Sequence, residues 1–131
     1  RFQLLPVMLN TRSADACFVL GEVLADVLGG WNALLVASTD LSHFYGYDHA
    51  KRLDEHTLKP ILDFDPDTLA EELERSQAHA CGGGPVVAVM IAARELGASQ
   101  AHLVKYANSG DVWEDKSQVV GYAAVALTRD Q

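Results

Sequence analysis

The sequence has little cysteine, no concentration of positive charge and no long apolar run, and each shortage excludes a class of protein. Its two cysteines, Cys17 and Cys81, are too few for a disulfide scaffold and fit a reducing, cytoplasmic compartment. The 10 Lys and Arg residues are outnumbered by 18 Asp and Glu, and no more than two basic residues are adjacent, so we expect no nucleic-acid partner. No apolar stretch approaches the roughly 18 residues that cross a bilayer, so we expect no membrane partner either.

What the sequence does contain is enough apolar material for one domain. The chain has 131 residues, of which 49% are hydrophobic, a normal level for a globular core. It begins at Arg1 and passes at once into the apolar segment "FQLLPVMLN", without a Met or a polar leader. This start predicts a piece of a longer protein, in which residues 1–131 form a single α/β domain.

Apolar spacing and turn residues divide the chain into alternating strands and helices. Continuous or alternating apolar runs predict strands, and apolar residues at i, i+3 and i+4 predict helices. The predicted strands are residues 2–9, 32–38, 101–106 and 119–128. The predicted helices begin after Ser13, near Tyr47, at Pro66 and at Pro85, with Gly29, Pro60, Gln77 and Leu96 near their ends. This order predicts an α/β fold, a mixed sheet flanked by helices.

A polar loop, residues 39–46, follows the predicted strand 32–38 and carries Asp40 and His43. In open α/β sheets, functional sites gather beyond the carboxyl ends of strands. An imidazole can move protons near neutral pH or bind a metal as the neutral ring. The alternative is that Asp40 caps a short turn and His43 is an ordinary loop residue.

The segment "HACGGGP" places Cys81 directly before a predicted helix. Free N–H groups and partial positive charge at a helix N-terminus favour the thiolate, which attacks electrophiles and binds metals. The glycines let a ligand approach the backbone closely. The alternative is a tight turn with a small buried thiol. A phosphate loop is disfavoured because the Lys and Ser/Thr of that pattern are missing.

The remaining polar candidates have ordinary explanations. His49 and His56 are expected on a solvated helix face, His79 and His102 in structural positions, and Cys17 in the core. Residues 108–111 follow a strand, so they either line the same rim as Asp40 and His43 or form a plain turn.

Four segments in this order resemble the Memo-like family, whose prokaryotic members are called AmmeMemoRadiSam system protein B. They are "STDLSHFYGYDHAKRLDEHTLKPI", "ACGGGPVVAVMIAARELGA", "KYANSGDV" and "VVGYAAVAL". The resemblance implies the LigB-like fold of class III extradiol dioxygenases, of which this chain matches only the C-terminal part. It also implies that two histidines upstream of Arg1 complete the site. His43 then falls where the dioxygenases keep a catalytic base, with Asp40 beside it, and Cys81 falls where they place a carboxylate metal ligand.

The resemblance implies a metal-binding redox protein, a metal-dependent oxidoreductase, with Cys81 and His43 at the metal and with His43 and Asp40 as its catalytic groups. A thiolate in place of a carboxylate favours a softer ion, so copper or iron is expected, with zinc as a further candidate. A radical-SAM protein is the partner that the family implies. Two alternatives stay open. One is a non-catalytic module that binds a peptide or partner protein in the vestigial cleft, and the other is a hydrolase in which His43 activates Cys81.

Overall fold

A computed structural model describes residues 1–11 and 13–130 of the chain. Four helices are present: α1 (Ala14–Leu28), α2 (Tyr47–Leu62), α3 (Pro66–Glu74) and α4 (Gly83–Glu95). Three strands are present: β1 (His43–Tyr45), β2 (Gln100–Asn108) and β3 (Val119–Thr128), with a 3₁₀ turn at Ser109–Asp111. The fold is therefore α/β, as the sequence predicts.

The strands form one antiparallel sheet in the order β1-β3-β2. The long pair β2 and β3 runs from Gln100 opposite Thr128 to Asn108 opposite Gly121. The short strand β1 adds to the other edge of β3, with His43 opposite Val120. The expected mixed sheet is thus an antiparallel sheet over the part of the chain that the structure describes.

The core lies between the helices and the inner face of the sheet. Its fully buried side chains include Leu69 of α3, Met90 and Ile91 of α4, and Val119 of β3. Partly buried residues of the long strands, such as Tyr106 and Val125, pack against this cluster. Helix α3 begins as its sequence predicts, because Asp65 caps it and Pro66 occupies its first turn.

Two predicted strands, residues 2–9 and 32–38, were wrong. Neither segment has regular secondary structure, and Leu5, Met8 and Leu34 are at least 80% exposed. A strand exists only where a neighbour accepts and donates its ladder hydrogen bonds, and neither segment is paired with a described strand. An apolar run in the sequence therefore does not show whether a second strand is present to pair with it.

Three helix boundaries also differ from the prediction. Helix α3 ends at Glu74, three residues before the predicted end at Gln77. Helix α2 continues through Pro60 to Leu62, and Pro60 is buried. Since the helix ends two residues later, the missing N–H of proline affects only its last turn. Helix α4 begins at Gly83, so Pro85 stands third in it. None of the described helices combines the length and apolar character that a bilayer crossing requires.

Candidate metal site

Two loops, residues 39–42 and 80–82, meet beside the N-terminus of α4. The Asp40 N–H donates to Cys81 Sγ at 3.2 Å, and the Cys81 N–H donates to the Asp40 carbonyl at 3.2 Å. The Thr39 hydroxyl donates to the Asp40 carbonyl at 2.7 Å and accepts from the Gly82 N–H at 2.8 Å. These reciprocal hydrogen bonds hold the Cys81 sulfur against the backbone of Asp40.

The close approach of the two loops depends on the absence of a side chain at residue 82. A Cβ atom built on Gly82 would overlap the carbonyl oxygen of Ser38 and would lie 2.9 Å from Thr39 Cβ. The sequence "CGGGP" thus places a glycine where the backbone of the Asp40 loop passes. Cys81 stands two residues before α4, next to its N-cap Gly82, and is exposed.

His43 opens the short strand β1, which is bulged. Its register on β3 shifts between His43 and Tyr45, and the intervening Phe44 has a φ of 65°. That left-handed conformation costs a residue with a Cβ about 1 kcal/mol. A bulge redirects the side chains of a strand and is frequent beside functional sites. The expected loop 39–46 therefore contains an irregular strand edge.

The structure brings Asp40, His43 and Cys81 into one cluster. One ligand atom from each residue, an oxygen, a nitrogen and the sulfur, lies within 4.8 Å of the others. His43 Nε2 lies 3.5 Å from Asp40 Oδ2, and both side chains are partly exposed. No second group of three such side chains is as compact among residues 1–11 and 13–130.

The donor set fits a small, borderline or soft metal ion. Two ligands on one tetrahedral ion are about 3.4 Å apart, given metal–ligand bonds of about 2.0–2.3 Å. The 3.5 Å between His43 Nε2 and Asp40 Oδ2 is close to that separation, and it is also the distance of a direct contact between an imidazole and a carboxylate. A thiolate sulfur beside an imidazole nitrogen suits copper or zinc better than an all-oxygen site would.

The other histidines lie outside this cluster. Tyr45 packs against His49 at 5.0 Å and against His79 at 5.7 Å between ring centroids. His56 Nε2 lies 3.4 Å from a Glu72 carboxylate oxygen, and His102 bonds to Thr128. The structure therefore gives these four rings packing or pairing contacts.

Two further predictions have a clear outcome. Cys17 is buried in the core as expected, and burial, with a smaller contribution from Glu74, raises the pKa of its thiol. Residues 108–111 form a turn, in which Asn108 and Asp111 make a reciprocal capping box. The Asp111 carboxylate also accepts a hydrogen bond from Tyr47 at 2.6 Å, which ties this turn to the start of α2.

A buried carboxylate, Asp54, is the residue that sequence reasoning missed. It lies on α2, is 0% exposed, and accepts a hydrogen bond from the Ser42 N–H at 2.8 Å. The helical spacing of the sequence indicates that Asp54 is buried, because it stands four residues from both Ala50 and Leu58, which are buried. A carboxylate on the core-facing stripe of a helix indicates a specific partner.

The fold and the cluster together define an α/β protein with a Cys-His-Asp cluster at the edge of a small sheet. A family model for Memo-like proteins matches residues 1–126. The chain belongs to the Memo-like family.

Curated proteins of the same family are similar to almost the whole of this chain. A MEMO1 family protein of Methanosarcina mazei is 40% identical over 128 residues, covering 96% of this chain and 48% of its own length. One of Methanosarcina acetivorans is 38% identical with the same coverage. One of Methanopyrus kandleri is 37% identical, over 98% of this chain and 46% of its own length. The chain thus spans about half the length of the curated relatives it matches.

Proposed function

We propose that this chain contributes Cys81, His43 and Asp40 to a metal-dependent redox site of Memo type. The observation that carries the proposal is the convergence of a thiol, an imidazole and a carboxylate within 4.8 Å, from two segments of the chain that are distant in sequence. Copper or iron is the expected ion, with zinc as a further candidate, because one ligand is a thiolate.

In this proposal, Cys81 anchors the ion. Its sulfur already accepts the Asp40 N–H, so the sulfur position is fixed before an ion arrives. His43 supplies a nitrogen donor at the same place, and Asp40 orients the imidazole ring through the 3.5 Å contact with Nε2. A redox-active ion would supply one-electron chemistry. Because a ring nitrogen that binds a metal carries no proton, His43 Nε2 would hold or move a proton beside Asp40 only while it is not bound to the ion.

The family resemblance implies a LigB-like dioxygenase fold around this site, but the dioxygenase reaction does not follow from the fold. Replacement of a carboxylate ligand by a thiolate changes the ion that the site prefers. The activity is therefore proposed as metal-dependent redox chemistry, and ring cleavage is not proposed.

Metal binding by single-cysteine variants tests the proposal. Cys81→Ser should lower the affinity for Cu⁺ and for Co²⁺, used as a spectroscopic probe, by about 100-fold or more, because even supporting residues of metal sites are worth 10–100-fold. The matched control is Cys17→Ala, which removes the other thiol from the buried core and should leave the affinity unchanged. Equal affinity in wild type and Cys81→Ser would contradict the proposal.

A second variant pair tests the imidazole. His43→Ala should also weaken Co²⁺ binding, whereas His102→Ala removes an exposed ring that bonds to Thr128 and should not. Loss of Co²⁺ binding in both variants would indicate an adventitious histidine effect and would count against a role for His43.

A further inference from the structure

A buried polar group lies directly behind the candidate site. Asp54 Oδ1 accepts the N–H of Ser42, which stands between Asp40 and His43 in the chain. Asp54 Oδ2 accepts the hydroxyl of Tyr106 on β2 at 2.8 Å. One carboxylate therefore joins the site loop to a helix and to the sheet.

The Asp54 carboxylate has no cationic partner among the ion pairs of the described residues. Two neutral donors hold it at 0% exposure. A buried carboxylate is retained at a large desolvation cost, which a simple hydrophobic residue would avoid. Its placement therefore needs a reason beyond filling the core.

The surroundings are shaped to the carboxylate. A Cβ on Gly121 of β3 would overlap Asp54 Oδ2, so a glycine is needed there. The same glycine pairs with the site loop, because its carbonyl accepts the Leu41 N–H at 2.9 Å and its N–H donates to the Ser42 carbonyl at 3.0 Å. The carboxylate and the strand thus both hold Ser42, and the strand also holds Leu41.

Tyr106 supports this arrangement as a permanent donor. Burial, followed by the hydrogen bond to Asp54, raises the pKa of the Tyr106 hydroxyl far above its ordinary value. The hydroxyl consequently keeps its proton and donates to Asp54 throughout the physiological range.

We infer that Asp54, held by Tyr106, is a positioning residue that sets where Asp40 and His43 stand relative to Cys81. The predicted effect of Asp54 on metal binding rests on the proposed function. The predicted effect on the position of the loop at residues 39–42 does not. Without the Asp54 acceptor, the Ser42 N–H would be buried and unpaired, and the loop would shift to find another partner.

Amide hydrogen exchange tests, without any metal, whether Asp54 fixes the position of this loop. Asp54→Ala should accelerate exchange at the Asp40 and Cys81 amides. The acceleration there should be about tenfold or more greater than the acceleration at the Met90 amide in α4. Neither loop amide bonds to Asp54, so a selective effect reports loop position. Leu69→Val, a core change in α3, is the control and should affect all these amides alike. Uniform acceleration in Asp54→Ala would overturn the inference.

Co²⁺ binding supplies the second readout. Asp54→Ala should weaken binding by about 10–100-fold and shift the sulfur-to-cobalt absorption band, as loss of a supporting residue does. Asp54→Asn should restore most of the affinity, since its amide oxygen can still accept the Ser42 N–H. An unchanged band and affinity in Asp54→Ala would overturn the inference.

Two further steps distinguish failure of the Asp54 inference from a folding defect and from failure of the proposed function. If Asp54→Ala does not fold, Tyr106→Phe takes its place, because it removes one of the two hydrogen bonds and keeps the ring. If the wild-type protein binds no Co²⁺, the proposed function fails, and the exchange experiment alone then decides whether Asp54 positions the loop.

Discussion

The most direct perturbation of the site geometry is a single methyl group at residue 82. Gly82→Ala adds a Cβ that would overlap the Ser38 carbonyl oxygen and lie 2.9 Å from Thr39 Cβ and 3.2 Å from Thr39 Cα. Because two of these three atoms belong to the backbone, no rotamer change can relieve the overlap. The loops at residues 39–42 and 80–82 must therefore separate.

The magnitude follows from the contacts that separation breaks. Three hydrogen bonds with a backbone donor join the loops: Gly82 N–H to Thr39 Oγ1 at 2.8 Å, Cys81 N–H to the Asp40 carbonyl at 3.2 Å, and Asp40 N–H to Cys81 Sγ at 3.2 Å. A longer contact of 3.8 Å joins Thr39 Oγ1 and Cys81 Sγ. At about 1 kcal/mol for each of these hydrogen bonds, with partial relaxation, their loss should lower the free energy of unfolding by about 2–3 kcal/mol.

Gly29→Ala is the matched control. Gly29 also adjoins a helix end, but a Cβ there would lie 3.5 Å from the carbonyl oxygens of Ala25 and Asp26, an ordinary contact, and its φ is -54°. This change should be neutral or stabilise by about 0.4–1 kcal/mol, because alanine reduces the entropy of the unfolded chain.

Urea unfolding of the two alanine variants and the wild type measures the difference. The slope of free energy against urea should be the same for all three, so that the midpoint reports stability. If Gly82→Ala unfolds at the same urea concentration as Gly29→Ala, the loops do not lie in the described contact, and the close approach of Cys81 and Asp40 is refuted.

Two pH dependences follow from other hydrogen bonds. The N–H of Thr68, then its hydroxyl, lower the pKa of Asp65, the cap of α3. The stabilisation by this cap is present above the unfolded value of about 4 and is lost as pH falls through the lower folded value. Asp65→Ala should therefore lose about 1 kcal/mol at pH 7 and match wild type in strong acid, and a pH-independent difference in urea unfolding would contradict this. The raised pKa of Tyr106 affects stability at alkaline pH. The stabilisation by this hydroxyl is complete below about pH 10, the ordinary tyrosine pKa, and is lost as pH rises toward the pKa of Tyr106 in the folded protein. Tyr106→Phe should flatten the alkaline decline of stability, and an unaltered alkaline slope would refute the role of the hydroxyl.

Local chemistry made part of the fold predictable. The Asp65-Pro66 pair predicts the start of α3, because the capping carboxylate and the fixed φ of proline act within one turn. The strand predicted at residues 119–128 has the bounds of β3. Cys81 before α4 and Cys17 in the core were also read correctly, since both depend on neighbours in the sequence.

The candidate site was predictable as a set of residues, through the family resemblance, but not as a structure. Nothing local indicates that Thr39 and Gly82 join the two loops, or that the His43 strand is bulged at Phe44. Asp54 was overlooked because its helix reads as charged, although its position falls on the buried stripe. Each of these features depends on contacts between residues far apart in the chain.

The sequence by itself determined the presence of the four helices, the positions of the two long strands and the chemistry available at Asp40, His43 and Cys81. Only the tertiary structure decided that these three side chains converge, and that residues 2–9 and 32–38 are unpaired rather than strands. The physical reason is that a helix satisfies its backbone hydrogen bonds within itself, whereas a strand and a site both require a second segment of chain brought close by packing.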